Sequence, residues 1–452
     1  MEPRFLDEFF AEHPLPPEVD GEAIRREWLA LQPPYRIDER HLPLPLWARR
    51  PFEETGLQAW ETLCRNVTQT DPGQAICIYV HIPFCPEHCE FCDCYSFRLG
   101  THQQQHIHGY LERLERETDL WASLGGLADR PVSTIHFGGG TPTFLDGPSF
   151  TRLSGLLRSH YGTGSQTEWA LESTVAELTP EMLECLENLE FNRLHVGVQS
   201  LQDPVRQRLN RRTTANDVLG AIDAAVLRGW VVSVDLIYGL PGQTLDGLLQ
   251  DIRSLIASGV AGFSLYELQV SSSNRRFVRR YNLDQRDRRH NFLLGQVAAH
   301  LLGALGYRKT LFNHFAVARD TNLYFTFPER EEDCLALGTI ADGVFGDYHY
   351  RHLEYAAYLQ SIGRQHPGLE GGMRRSQAEN RWHPLAVALM AGKVESSLLA
   401  NAESMELARR WQRALLLEGD TDDSSLNLTG SGSWFVGNML TELAELAMVP
   451  RG

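Results

Sequence analysis

Four of the chain's eight cysteines, Cys85, Cys89, Cys92 and Cys94, fall within ten residues, and this clustering restricts the fold more than any other feature. The segment has the form CxxxCxxCxC and follows an apolar run over 76–82, expected to be a buried strand ended by Pro83. Cysteines crowded in this way point to metal or redox chemistry. Cys64, Cys77, Cys185 and Cys334 are scattered and are expected as small core residues. Two metal readings compete. A structural zinc needs four closed ligands, with Cys89 and Cys92 as one pair and His102 and His106 as the other. The spacer between those pairs is shorter than the usual spacing of about twelve to fifteen residues, and Cys85 and Cys94 are left without a role. A [4Fe–4S] cluster held by the thiolates of Cys85, Cys89 and Cys92 uses the spacing directly and leaves one iron open to a cofactor or substrate. The spacing favours the cluster, with zinc as the alternative.

Coarse periodicity places strands near 76–82, 132–137, 168–172, 193–198, 231–237 and 262–268, with helices near 104–124, 148–160, 178–189, 215–229 and 245–258. Such alternation predicts a parallel sheet. Six βα units are too few for a closed eight-fold barrel, so an open partial (β/α)6 barrel is expected. In such a fold, chemistry gathers at the C-terminal ends of the strands. The cysteine loop follows the first strand and the segment from Gly138 to Pro142 follows the second. Glu172 ends the third, Gln199 the fourth, Asp235 lies near the end of the fifth, and Tyr266 with Glu267 ends the sixth. One shared site at that rim is expected.

Several motifs, in order, carry a resemblance to a known family. Tyr79-Val80-His81-Ile82-Pro83-Phe84-Cys85 precedes the cysteine loop, and His136-Phe137-Gly138-Gly139-Gly140-Thr141-Pro142-Thr143 follows it. Phe191-Asn192-Arg193-Leu194 with Gly197-Val198-Gln199, and Asp235-Leu236-Ile237-Tyr238-Gly239-Leu240-Pro241, complete the set. Residues 75–315 resemble the radical S-adenosylmethionine (radical SAM) superfamily, in the branch of oxygen-independent coproporphyrinogen III oxidase. The resemblance implies a [4Fe–4S] cluster on Cys85, Cys89 and Cys92, with S-adenosylmethionine chelating the open iron. It implies that Tyr79, Gly138, Gly139, Gly140, Thr141, Glu172, Gln199, Arg211 and Asp235 contact that cofactor. Cys94 matches a fourth cysteine of the oxidase branch that is not a cluster ligand there.

Composition narrows the flanks. With 42 basic and 58 acidic side chains the net charge is −16, which disfavours nucleic acid. The two lysines, Lys309 and Lys393, lie outside any phosphate-binding loop motif, so a Walker-type ATPase is excluded. No apolar stretch is long enough to span a bilayer and no basic leader is present, so a cytoplasmic protein without a membrane partner is expected. Residues 1–72 form a Pro-rich arm whose Trp28, Trp47 and Trp60 argue for docking over the barrel mouth. The barrel is expected over 73–315, a connecting, active-site segment with few secondary-structure signals over 316–378, and a helical, winged-helix-like domain over 379–452.

Departures from the oxidase pattern guide the functional expectation. Asn313-His314-Phe315-Ala316 is present, but Asn322-Leu323-Tyr324-Phe325-Thr326 stands where the oxidase carries a glutamine. Tyr324 lies near that place and, with Tyr79, is a candidate catalytic residue beside a second S-adenosylmethionine. Glu172 is followed by Ser173 and Thr174 rather than by Asp and Pro. The reading preferred on these grounds is a class C radical SAM methyltransferase, transferring one carbon to an unsaturated or aromatic carbon, cyclopropane closure included. Coproporphyrinogen III oxidation is the alternative, and a non-catalytic haem chaperone the second. A small-molecule substrate and an electron donor such as flavodoxin or ferredoxin are the expected partners.

Overall fold

A computed structural model describes residues 3–86, 89–99, 104–361, 365–419 and 424–448. Its centre is a parallel sheet of six strands: β1 (Ile76–Ile82), β2 (Val132–Gly139), β3 (Glu168–Ser173), β4 (Arg193–Gln199), β5 (Val231–Tyr238) and β6 (Gly262–Glu267). These strands are apolar on both faces because helices cover the outside and side chains fill the lumen. Six of the seven residues of β1 are buried.

The intervening helices obey simple local rules. Leu245–Ala257 buries Leu245, Leu248, Leu249, Ile252 and Leu255, one stripe at helical spacing. The Thr244 hydroxyl caps its start by accepting from Gly247 N. Thr214 and Asp217 close a capping box on Ala215–Leu227.

The sheet is not a closed barrel. Beyond β6 come β7 (Arg308–Leu311) and β8 (His314–Ala316), antiparallel, with β8 next to β6. On the other side of β1 lies β9 (Asp333–Leu337), parallel to it, followed by β10 (Asp342–Phe345), β11 (Tyr348–His352) and β12 (Leu369–Arg374). With Glu54–Thr55 at one edge and β7 at the other, thirteen strands form one open sheet. The stretch expected to carry few secondary-structure signals therefore contributes four strands. The arm is less irregular than expected too, since Pro3–Glu12, Gly21–Ala30 and Gly56–Gln69 are helical. Of the three tryptophans singled out in the arm, Trp28 and Trp60 are buried and Trp47 is half-buried; Trp28 lies 6.0 Å from Phe292 of helix Arg288–Ala304.

At the N-terminal ends of the strands the lumen is closed by charges that pair with one another. Arg193 opens β4 and meets Asp320 at 2.7 Å. Ser233 of β5 receives a hydrogen bond from Arg193 and donates one to Asp320, at 2.8 and 2.7 Å. His314 of β8 lies 3.1 Å from the same carboxylate, with Ser264 on its other ring nitrogen.

The C-terminal region is helical, with Gln377–Ala391, Ala402–Arg413 and Gly430–Met448 around a small sheet of Lys393–Glu395, Ser425–Leu428 and Leu417–Glu418. This matches the winged-helix-like expectation. Arg40 of the arm ties three parts together: it pairs with Glu267 of β6 and donates to the Trp434 carbonyl at 3.0 Å.

Candidate active site

The rim is assembled around the glycine segment that leaves β2. Gly139 has φ +109°, a backbone favoured by glycine, and its N–H donates to Glu172 Oε2 at 3.3 Å. A Cβ on Gly138 would come within 2.8 Å of the Tyr79 ring and 3.0 Å of Glu172 Oε1. One on Gly140 would stand 2.5 Å from the Phe84 carbonyl. The glycines thus let the second loop close against the cysteine loop, and Thr141 fixes the contact: its N–H bonds Phe84 O at 2.7 Å and its hydroxyl approaches Cys85 Sγ at 3.5 Å.

Within the cysteine loop Cys85, Cys89 and Cys92 are half-buried and Cys94 is exposed. The Cys94 N–H points at Cys92 Sγ, 3.4 Å away. A hydrogen bond from the Cys94 side chain, aided by the Arg211 charge, draws the Cys92 thiol down to about 7, while burial pushes Cys85 up. Among the described residues no three His, Cys, Asp or Glu side chains gather closely enough to hold a single metal ion. A cuboid cluster whose ligands bind three different irons has no need of such a gathering. His106, of the zinc alternative, is exposed on helix Gln104–Ala122, and His102 lies outside the described residues.

Glu172 carries the most connections. His136 Nε2 approaches its Oε1 at 3.2 Å. Burial is the largest influence on this carboxyl and raises its pKa, yet His136, His195 and the Gly139 N–H together bring it below the ordinary carboxylate value. Tyr79 bonds His81 Nδ1 at 3.0 Å, and burial draws His81 down to about 4, keeping that imidazole neutral. Tyr324 enters from the segment before β9. Its ring stacks on His136 at 4.4 Å and on Tyr79 at 5.0 Å, and Phe325 closes edge-on at 5.1 Å. The two tyrosines singled out in the sequence, far apart in the chain, are therefore in direct contact.

The far side of the rim is polar. Gln199 adopts φ +69°, and a Cβ on Gly197 would lie 2.9 Å from Gln199 Nε2 and 3.7 Å from Arg211. Arg211 also lies over the Phe91 ring of the cysteine loop at 5.9 Å. Asp235 is bonded to His195 Nε2 at 2.6 Å; burial works against the imidazolium of His195, but the Asp235 charge outweighs it and raises the pKa. Gln199 Oε1, Arg211 Nε, His81 Nε2, His136 Nδ1 and His195 Nδ1 are buried without a partner. Unpartnered donors and acceptors beside a side-chain-free cradle, next to three thiols on one loop, fit the adenosyl and amino-acid parts of S-adenosylmethionine and the cluster it chelates.

Three points depart from or extend the sequence reading. Tyr266 and Glu267 part company, as neighbours on a strand must: Tyr266 feels the charges of Asp235 and Glu172, whereas Glu267 binds Arg40 and Asn291 away from them. Two arginine-rich stretches of the sequence, Arg49-Arg50 and the run Arg275, Arg276, Arg279 and Arg280, could meet substrate carboxylates; Arg50 is engaged by Glu53 and Glu379, away from the rim. The run is on helix Arg275–Arg280, whose Phe277 and Val278 pack in one buried cluster with Phe91 and Leu240 and whose four arginines are exposed. Asn274 donates to the Phe91 carbonyl at 3.0 Å, and Arg280 pairs with Glu90. His136 entered the sequence reading only as part of a motif, and His195 did not enter it. A histidine in a strand that otherwise alternates apolar residues was the signal for both.

An open parallel barrel with a three-cysteine loop at its rim defines a radical SAM protein, and the model of that superfamily matches residues 79–255. Oxygen-independent coproporphyrinogen III oxidase of Salmonella typhimurium is 30% identical over 319 residues, covering 67% of this chain and 68% of the relative. Anaerobilin synthase of Escherichia coli O157:H7 is 27% identical over 442 residues, covering 93% and 96%. The solved coproporphyrinogen III oxidase HemN of Escherichia coli superposes with a TM-score of 0.75 over 86% of this chain and 94% of its own, at 24% identity, a likeness of fold. The chain belongs to the oxygen-independent coproporphyrinogen III oxidase branch of the radical SAM superfamily. Membership implies a [4Fe–4S] cluster and S-adenosylmethionine. No helix among the described residues is long and apolar enough to cross a membrane. The relatives are oxidases, a synthase and, over 47% of this chain at 33% identity, the haem chaperone HemW of Bacillus subtilis, so the preference for methyl transfer finds no support in them.

Proposed function

We propose that this chain is a radical SAM oxidase that removes carboxylate from a porphyrinogen-type substrate, replacing the methyltransferase reading. The observation that carries the substrate class is the basic helix packed against the cysteine loop. Of the four exposed arginines on one short helix, Arg280 is paired with Glu90, and Arg275, Arg276 and Arg279 form a local positive face in a chain of net charge −16, suited to a substrate bearing several carboxylates. When bound, the cluster and S-adenosylmethionine supply a 5′-deoxyadenosyl radical.

The chain's own residues do the rest in this reading. Cys85, Cys89 and Cys92 hold the cluster, and Gly138, Gly139, Gly140, Thr141, Glu172, Gln199, Arg211 and Asp235 hold S-adenosylmethionine. Tyr79 and Tyr324, stacked with His136, wall the lumen with flat apolar surface and exclude water. Cys94 stays off the iron. In this reading two S-adenosylmethionine molecules would serve two propionate groups, each giving one hydrogen atom to a 5′-deoxyadenosyl radical and then carbon dioxide and one electron, the electron to an external one-electron acceptor, to become vinyl. Flavodoxin or ferredoxin would supply the electron that starts each turn.

The test is anaerobic turnover of the reconstituted protein with coproporphyrinogen III, S-adenosylmethionine and a reductant. Carbon dioxide and vinyl groups are the expected products. Replacing Arg275, Arg276 and Arg279 by Gln should raise KM for the porphyrinogen at least tenfold and leave reduction of the cluster by flavodoxin unchanged. One observation favours a second reading: the match to anaerobilin synthase extends across the arm and the C-terminal region, 93% of this chain. Conversion of haem to a bilin, with no carbon dioxide from the porphyrinogen, would decide for it. Binding of haem with no cleavage of S-adenosylmethionine would decide for a chaperone.

A further inference from the structure

Behind β6, on the Leu265 face of that strand, lies a cavity of about 430 Å³ between the barrel and the C-terminal domain. It is formed by helix Arg288–Ala304, the β7–β8 hairpin and the start of helix Gly430–Met448. Gly295, Ala299 and Gly303 recur every four residues along the first helix and so present one smooth floor. A Cβ on Gly303 would meet no atom within 4 Å. Phe312, Phe315 and Trp434 supply aromatic walls.

The polar groups of this cavity are unmatched. Lys309 Nζ has a hydrogen bond to Ser433 Oγ at 2.9 Å, and no carboxylate among the described residues pairs with it. The two acids in the lining are engaged elsewhere: Asp20 caps helix Gly21–Ala30 and Glu18 pairs with Arg253 at 3.0 Å. The Arg40 charge is taken up by Glu267. Gln296 and Trp434, each 4% exposed, line the same space, and Gln296 Oε1 and Trp434 Nε1 have no partner. A pocket whose cation and buried indole N–H meet no carboxylate, its two acids being engaged elsewhere, lacks the group that would satisfy them.

We propose that this cavity is a second ligand site, which takes a small carboxylate with a flat apolar body. The carboxylate would sit on Lys309 and Ser433, and the ring against Trp434 and Phe312. Its volume falls within the range of about 300–1,000 Å³ usual for small-molecule sites. Burial pulls the Lys309 ammonium down to about 7, and a bound carboxylate restores its proton. Such a ligand would bridge the β7–β8 hairpin to the C-terminal helix without entering the lumen, and it is independent of the reaction proposed above.

The experiment uses the full-length protein with its cluster reconstituted. Benzoate, phenylacetate and indole-3-acetate are titrated against their uncharged amides, with Trp fluorescence and Tm as readouts. At least one carboxylate should bind ten times or more tighter than its amide and raise Tm. Lys309→Met should weaken that carboxylate at least tenfold and leave the amide unchanged. Ala299→Phe, which fills the floor, should abolish binding of both. Cluster absorbance and S-adenosylmethionine cleavage should stay at the wild-type level in both variants, which reports folding. Equal binding of acid and amide, retention of carboxylate binding by Lys309→Met, or no response to any of the three acids would overturn the proposal.

Discussion

The two ends of the barrel strands hold their polar groups in opposite ways. At the floor, Arg193, Ser233, His314 and Asp320 come from different strands and loops and are buried with their opposite charges in contact, although Arg193 Nε and Nη1 and Asp320 Oδ1 make no hydrogen bond. At the rim, Glu172 and Asp235 remain 31% and 23% exposed and five neighbouring polar atoms lack partners. Charges that neutralise each other out of water specify a structure; groups left open to the lumen can take a ligand. The same strands thus serve folding at one end and chemistry at the other, and substitutions at the two ends should separate those roles.

The largest effect belongs to the rim. Cys85→Ala, Cys89→Ala and Cys92→Ala should each take activity to background and leave less than a full complement of iron and sulfide after anaerobic reconstitution. Cys94→Ala should keep the full complement. A complete cluster in Cys89→Ala would mean that the wrong thiols have been assigned. Glu172→Gln comes next, with a fall in S-adenosylmethionine cleavage of about a hundredfold and little change in Tm, because its neighbours lose a charge partner and keep their packing. Loss of fold in this variant would show that Glu172 belongs with the floor.

Asp320→Asn should reverse that pattern. It removes the nearer of two counter-charges from the Arg193 guanidinium, 1% exposed, and leaves it only Glu168 at 3.8 Å; breaking a buried pair outright costs about 3–5 kcal/mol, and the remaining partner places the loss at or below the lower end of that range. Denaturant unfolding would show the loss, while the S-adenosylmethionine affinity of the folded fraction should not move. The pairing also sets a pH dependence. Burial works against the Asp320 carboxylate, but His314 and Arg193 outweigh it and hold its pKa well below the ordinary value. A depressed carboxyl stabilises the fold above its unfolded pKa of about 3.9, and the contribution fades as pH falls from there toward the folded pKa. The difference in stability between wild type and Asp320→Asn should therefore shrink in acid.

The two ends also differ in how much of them was legible. The six strands and five helices follow from apolar runs, helical stripes and turn residues, and the observed elements, such as Val231–Tyr238 against 231–237, agree within a few residues. The rim was legible because its loops carry unusual chemistry, three cysteines and three glycines. The floor was not: Arg193 and Asp320 look like surface residues until the fold buries both. The strands from β9 to β12 were missed because β9 and β10 are only five and four residues long and β11 carries His, Tyr and Arg. Gly346-Asp347 between β10 and β11, with Gly346 at φ +62°, is a hairpin signal that would have found two of them. No pattern in the sequence announces that Tyr324 reaches Tyr79, because that contact depends on where a loop returns to the lumen.

The smallest effect should come from His195, which lies between the two ends: its ring is 6.3 Å from His314 below, and its Nε2 is held by Asp235 at the rim. The Asp235 charge outweighs burial and raises the His195 pKa. A raised imidazole stabilises the fold fully below its unfolded pKa of about 6.5, and that contribution is lost as pH rises through the folded value. This slope is opposite in sign to that of Asp320 and lies in a different pH window. Wild type and His195→Gln, unfolded in denaturant at a series of pH values from 5 to 9, should differ most at the acid end and converge toward the alkaline end. If His195 serves the floor, convergence is all that is seen. If it serves the rim, the pH profile of S-adenosylmethionine cleavage also loses its alkaline limb in His195→Gln while stability hardly changes. A difference in stability that grows with pH would show that the imidazole is neutral in the folded protein, and that Asp235 is oriented by a hydrogen bond rather than by an ion pair.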